Sequence, residues 1–578
     1  MLDPNPPALQ GLLQAGQALA QNFLDFVAKQ GTALQQGAPG APLAALPDPA
    51  QLGNQWGELQ REFMQKHAAL WAGMAQRKAD EPAPAVVAPE PGDRRFAAAD
   101  WAESPYFDYL RQAYLINADF LKKVADSLPL DGQAKHRLRF VTRQYVDALA
   151  PSNFAATNPE FIKTALETRG ESITRGIQNL IADLEKGRVT MTDESRFEVG
   201  RSLALTPGAV IYENELIQLI QYSPLTDTVA KRPLLIVPPC INKFYVMDLQ
   251  PENSLVRYMV EQGQTVFLVS WRNVSAAQGR LAWDDYLNMG PLAALAVVRE
   301  LIGADKVNTL GFCVGGTLLS SALAVARAKG DDPAASLTLL TTLLDYSEAG
   351  EIGYFVDEAT VSAREAQIGK AGLLPGRELA SVFSSLRAND LIWQYVVANY
   401  LKGGTPNAFD IIYWNGDSTN LPGPFLTWYV RHLYLHNSLR VPGKLDMCGV
   451  KADLTRLDMP TYILATREDH IVPWRGAYLS RQLIRGESTF VLGASGHIAG
   501  VINPAVKNRR SYWTNDATVA NAADWFSGAS ENKGSWWPHW IAWLRRFGDG
   551  EQAARGRLGH KKYQAIEPAP GRYVRERA

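Results

Sequence analysis

Downstream of about Val199 the chain alternates short, unbroken apolar runs with stretches whose apolar positions recur at helical spacing. The runs 234–237 (LLIV), 265–270 (TVFLVS), 307–312, 336–344, 461–466 and 489–492 each predict a strand. They are apolar nearly throughout rather than at every second position, the pattern of a strand covered on both faces. Between several of them lie helical stretches such as 284–302 and 315–328. This alternation predicts a mostly parallel sheet covered by helices. Over 346–459 the rhythm stops and no strand–helix unit is recognisable. An inserted cap over the C-terminal edge of the sheet accounts for that interval.

The first 200 residues read differently. Within 1–80, Leu12, Ala15, Leu19, Phe23 and Phe26 recur at helical spacing. The stretch 81–92 (EPAPAVVAPEPG) is rich in Pro and Ala and predicts an extended linker. From 96 to 187 the pattern is helical again, in YFDYLRQAYLINADFLKKVADSL and ESITRGIQNLIADLEKG, and its spacing of three and four predicts packed helices. The expected organisation is a variable, partly mobile segment over 1–92, a helical N-terminal domain over 93–200, and a catalytic domain over 201–578 carrying the cap.

Composition narrows the function classes. The 578 residues are 46% apolar and 20% charged, enough for a globular body with a large core. The formal net charge is −1 and the Lys and Arg residues are scattered, so neither nucleic acid nor a polybasic membrane contact is expected. No run of about 18 apolar residues is uninterrupted, and the start MLDPNPPALQGLLQAG lacks the basic and apolar regions of a signal peptide. The three cysteines, Cys240, Cys313 and Cys448, build no disulfide framework and fit a reducing, cytoplasmic compartment. Fifteen tryptophans and 20 phenylalanines exceed what a minimal core needs. A large aromatic core is the simplest account of them, and attachment to a hydrophobic surface remains open.

The sharpest chemical signal is 307–317, VNTLGFCVGGT. A predicted strand runs into Gly311-Phe312-Cys313-Val314-Gly315, and a helical pattern follows at once. This is a G-x-nucleophile-x-G elbow with Cys as nucleophile, on an α/β-hydrolase scaffold. Small residues two before and two after Cys313 let strand and helix backbones approach, and the helix N-terminus favours the thiolate form. In this fold the acid and then the base follow the nucleophile, each just past a strand. Asp469 in REDHIVP and His497 in GASGHIAG meet those requirements. His497 is expected to take the thiol proton and Asp469 to orient the imidazole. His470 is a rival base, but it adjoins the acid in sequence and would struggle to reach Cys313 as well.

The backbone N–H of Val314 is the expected first oxyanion donor. The second is expected from the loop after the strand 234–237, at Ile241 or Asn242. Cys240 in that loop has no elbow around it and reads, like Cys448, as structural. His432 and His436 stand four apart without a third ligand nearby, so no metal is expected. No P-loop or dinucleotide fingerprint is present, and no cofactor is expected.

At these residues the sequence closely resembles the class I polyhydroxyalkanoate synthases. The likeness runs through PSNFAATNPE (151–160), VPPCINKFYVMDLQPENSLV (237–256), GFCVGGT (311–317), YWNGDSTNLPGPF (413–425), REDHIVPW (467–474), GASGHIAGVINP (493–504), GSWWPHW (534–540) and IEPAPGRYV (566–574). It covers about 96 to the end of the chain. The resemblance implies an acyltransferase that polymerises (R)-3-hydroxyacyl-CoA, short-chain substrates such as 3-hydroxybutyryl-CoA above all, into polyester with release of CoA. Coenzyme A is then part of the substrate and a product rather than a cofactor. The family's nucleophile, acid and base fall on Cys313, Asp469 and His497. It also implies a homodimer in the cytoplasm, attached to polyester granules with their coat proteins. Two other readings share these motifs: a cysteine thioesterase or esterase, and an inactive scaffold of the granule coat.

Overall fold

The apolar runs of the second half become the centre of an eleven-stranded sheet, in a computed structural model that describes residues 53–77, 85–560 and 562–578. The strands are β1 (Gly208–Glu213), β2 (Ile217–Tyr222), β3 (Leu234–Val237), β4 (Val266–Trp271), β5 (Val307–Phe312), β6 (Ala334–Leu340), β7 (Thr461–Thr466), β8 (Ser488–Gly493), β9 (Ser511–Thr514), β10 (Ser530–Lys533) and β11 (Glu567–Pro568). Their order across the sheet is 10-9-8-7-6-5-3-4-2-1-11. The six strands β4-β3-β5-β6-β7-β8 are parallel. They are the six apolar runs: three coincide with their strands and three have ends shifted by one to four residues. Antiparallel strands flank them on both sides.

Two apolar layers sandwich the sheet. One contains Val237, Phe267, Val269, Leu337, Leu339 and Ile463, and the other Leu234, Ile236, Leu268, Leu310, Leu340 and Leu464, so successive residues of each strand serve opposite faces. Each such side chain, fully buried, contributes roughly 1.5–3 kcal/mol. The expected helix over 284–302 is broken into Trp283–Leu287, a wide turn at Asn288–Leu292, and Ala293–Ile302. Pro291, which lacks an N–H, sits in that turn beside the non-helical Gly290.

The chain divides into two compact units. The sheet unit is Asp193–Val382 with Ala408–Ala578. The helical unit comprises the described residues up to Thr192 together with Phe383–Asn407, a segment drawn from the interval read as cap. The helical unit contains α1 (Gly53–Gln76), α2 (Pro105–Ser127), α3 (Gly132–Ala148), α4 (Pro159–Glu167) and α5 (Glu171–Lys186). Phe63, Leu70, Ile116, Phe120, Leu121, Val124, Leu138 and Val146 form its core. PSNFAATNPE makes a tight connection: Asn153 and Asn158 donate to the carbonyls of Asp147 and Ser152, and Asn158 caps α4.

Two expectations need correction. Part of the linker is docked rather than free: Val86 and Val87 pack against the helical core and both backbone N–H groups donate to Gln112 Oε1, while residues 85, 88 and 90–92 stay exposed. The apolar stripe of α5 does not pack inward. Ile173, Ile177, Leu180, Ile181 and Leu184 are 39% to 71% exposed, while Gly176, Asn179 and Asp183 face the 396–404 segment. Asn179 Nδ2 donates to the carbonyls of Asn399 and Gly404 at 3.0 Å, and Tyr400 Oη donates to Asp183 Oδ2 at 2.7 Å. The inner face is polar because Asn179 donates to backbone carbonyls and Asp183 accepts a phenol hydroxyl. The helix expected around Leu12–Phe26 lies outside the described residues.

Candidate active site

The elbow forms where β5 ends and helix α6 (Val314–Ala328) begins. Cys313 sits between them at φ +53°, ψ −130°, a region L residues rarely enter. The turn is fixed on both sides: the Cys313 N–H donates to the Leu340 carbonyl at 2.9 Å, and Thr342 Oγ1 donates to the Cys313 carbonyl at 3.1 Å. The glycines are needed for close approach. A Cβ at Gly311 would collide with Gly316, and one at Gly315 with the carbonyl oxygens of Val237 and Pro238. Cys313 itself remains partly exposed.

Two loops at the ends of neighbouring strands supply its partners. Asp469 follows β7, where Oδ1 accepts the N–H groups of Ile471 and Val472 at 2.9 and 2.8 Å, and Thr466 Oγ1 donates to Oδ2 at 3.3 Å. His497 follows β8. Its Nδ1 meets Asp469 Oδ2 at 2.7 Å, and Cys313 is near enough for its charge to act on the imidazole. The loops are stitched together by Glu468 N–H donating to the Ser495 carbonyl at 3.0 Å. Burial works against a charged imidazole, but Asp469 and then Cys313 outweigh it and push the His497 pKa up to about 10. Phe312 lies against the His497 ring, with centroids 5.8 Å apart. The structure therefore brings Cys313, Asp469 and His497 together, and the Asp469 hydrogen bond goes to His497.

The other sequence candidates fall into place around this group. Val314 opens α6, so its N–H is one of the unsatisfied donors of a helix start. Ile241 is half-buried, in the loop whose first carbonyls press on Gly315. Cys240 is 3% exposed and burial pushes its thiol far up. Burial and the Asp284 charge push the Cys448 thiol up to about 11. His432 packs against the Trp428 ring, centroids 4.8 Å apart. Among the described residues no group of His, Cys, Asp and Glu is placed to hold a metal, and no helix is long and apolar enough to cross a membrane.

Sequence reasoning missed a cluster of phenols. Tyr346, Tyr429 and Tyr434 pack edge to face, and burial, with the Cys313 charge adding, holds all three hydroxyls protonated. The Tyr346 hydroxyl lies 3.4 Å from both the Thr317 and Tyr429 hydroxyls. Beside them Trp283, Phe425, Trp428 and Tyr429 stack. The tyrosine-rich stretch 429–434 was the available signal.

Comparison with known proteins shows the family and the fold. Residues 92–259 match a family described as the N-terminus of poly-beta-hydroxybutyrate polymerase (PhaC), and residues 233–504 match the alpha/beta hydrolase fold. The poly(3-hydroxyalkanoate) polymerase subunit PhaC of Cupriavidus necator is 53% identical, over 92% of this chain and 89% of its own. The subunit of the same name from Rhizobium meliloti is 41% identical over 90% and 86%. The poly(3-hydroxyalkanoate) polymerase of Methylorubrum extorquens is 39% identical over 100% and 94%.

Proposed function

The chain belongs to the poly(3-hydroxyalkanoate) polymerase family of acyltransferases, and from that premise we propose that it links (R)-3-hydroxyacyl-CoA units, 3-hydroxybutyryl-CoA in particular, through a thioester on Cys313. The observation that carries this reading is Cys313 on a strained elbow with the His497–Asp469 pair, joined at 2.7 Å, behind it. In the first step the Cys313 sulfur attacks the substrate carbonyl. The carbonyl oxygen gathers negative charge against the N–H groups of Val314 and Ile241. The bond to CoA then breaks, and CoA leaves with the proton held by His497.

One thioester has replaced another, so the acyl group stays activated. In the second step the hydroxyl of a 3-hydroxyacyl unit attacks the Cys313 thioester, its proton passes to His497, and an ester forms as the sulfur is released. Ester formation from a thioester is downhill, which drives elongation. The steps use the Cys313 and His497 side chains and backbone N–H groups of this chain, and no cofactor. The same reading includes a homodimer in the cytoplasm, held at the surface of the polyester granule it produces and facing the granule's coat proteins.

The test is to incubate the protein with 3-hydroxybutyryl-CoA and measure free CoA and polymer together. CoA with insoluble polyester is the expected result. CoA with soluble 3-hydroxy acid would make the protein a hydrolase, and no CoA a scaffold.

A further inference from the structure

The loop assigned the second oxyanion donor is held from outside itself. Thr419 Oγ1 donates to the Cys240 carbonyl at 3.1 Å, and Asn242 forms an antiparallel bridge with Ser418. Trp414 Nε1–H donates to the Lys243 carbonyl at 2.7 Å, and Tyr245 Oη donates to Asp417 Oδ2 at 2.9 Å. All four anchors come from 414–419. The fifth is a charge. Lys243, only 2% exposed, donates from Nζ to the backbone carbonyl of Glu576.

An ammonium is costly to bury, and a methionine of similar length would fill the space without that cost. Burial lowers the Lys243 pKa, with Asp417 and Glu576 opposing and Arg577 assisting. The acceptor segment is itself fixed. Arg272 Nε donates to the Glu576 carboxylate at 3.1 Å, Arg577 to Tyr413 Oη at 3.1 Å, and Tyr573 Oη to the Asn214 carbonyl at 2.8 Å. The charge thus sits where two rigid segments meet the loop, and it fixes the loop's register between them.

We infer that Lys243 is a positioning residue: its ammonium, seated on the Glu576 carbonyl, holds the 240–243 loop so that the Ile241 backbone N–H faces the thioester oxygen at Cys313. This rests on the acyl-transfer reading above. Lys243 touches no reacting atom and acts through the loop alone.

Two variants test it: Lys243→Met, and a chain ended at Arg575, which removes the acceptor carbonyl and keeps Lys243. Three measurements are made on each: the melting transition, the rate at which iodoacetamide alkylates Cys313, and first-turnover CoA release from 3-hydroxybutyryl-CoA. Alkylation needs only the thiolate, whereas CoA release needs the oxyanion donors. The expected result is a loss of about 10- to 100-fold in first-turnover rate, with alkylation unchanged. The double variant should be no slower than the slower single one, because both changes break one link. First-turnover rates within twofold of the unaltered protein in either folded variant would overturn the inference. Alkylation falling in step with CoA release would overturn it too, since the damage would then lie at the nucleophile. Loss of cooperative melting in both variants also counts against it, because a positioning residue is not needed to fold. CoA released by the unaltered protein together with soluble 3-hydroxy acid would sink the polymerase reading alone, since the variants are judged by their ratio to the unaltered rate at the thioester-forming step.

Discussion

Cys313 is one of ten described non-glycine residues at positive φ, and it is the one that carries the proposed nucleophile. Cys313→Ala should abolish CoA release without lowering the melting temperature, while Cys240→Ala and Cys448→Ala stay active. An inactive, folded Cys240→Ala beside a working Cys313→Ala would move the nucleophile. His497 links this residue to pH. Its folded pKa, pushed up to about 10, lies above the ordinary 6.5. The stability this group contributes is therefore full below about 6.5 and is lost as pH rises through the raised value. Asp469→Asn removes the strongest cause of the rise, so the imidazole should shed its proton nearer neutrality. Iodoacetamide alkylation of Cys313 at pH 8 should then slow by about tenfold, one unit of lost pairing. An unchanged rate against pH would show that Asp469 does not hold the imidazolium.

At the scale of elements, α5 separates what periodicity can tell from what it cannot. The spacing of Ile173, Ile177, Leu180, Ile181 and Leu184 places them on one helix face, and the structure turns that face outward. The inner face depends on Gly176, where a Cβ would collide with the Tyr400 carbonyl. Ile177→Ser should change stability by no more than about 0.5 kcal/mol, whereas Gly176→Ala should cost about 2 kcal/mol or more despite better helix propensity. Equal melting shifts for the two would mean that the helix packs the other way. The same contrast explains which strands were legible. The six parallel strands are apolar on both faces and announce themselves, whereas β2, with Gln218 and Gln221, and β10, SENK, do not. The triad was legible because an elbow needs its glycines beside the nucleophile and its partners past successive strands. The tyrosines near Cys313 were less so: Tyr429 and Tyr434 stand close together in sequence, but the place they take beside Cys313 depends on how 346–459 folds.

On the scale of the whole molecule, the chain makes its two units in an order the sequence did not reveal. The helical unit takes Phe383–Asn407 from the middle of the sequence that otherwise builds the sheet unit, so a boundary near 200 divides the helical unit as well as the chain. A chain beginning near residue 200 retains Phe383–Asn407 and loses Gly176, Asn179 and Asp183, which that segment meets. It should express as insoluble or inactive protein, and full activity would show that the helical unit is dispensable. The shared segment also makes the protein a natural candidate for splitting. Residues 1–192 and 193–578, produced as separate chains in one cell, are joined by no peptide bond, yet the second carries the missing part of the first. Mixing the two should rebuild the helical unit across the cut, which turns the segment into a reporter: a tag on one fragment recovers the other only while Tyr400 finds its place against Gly176.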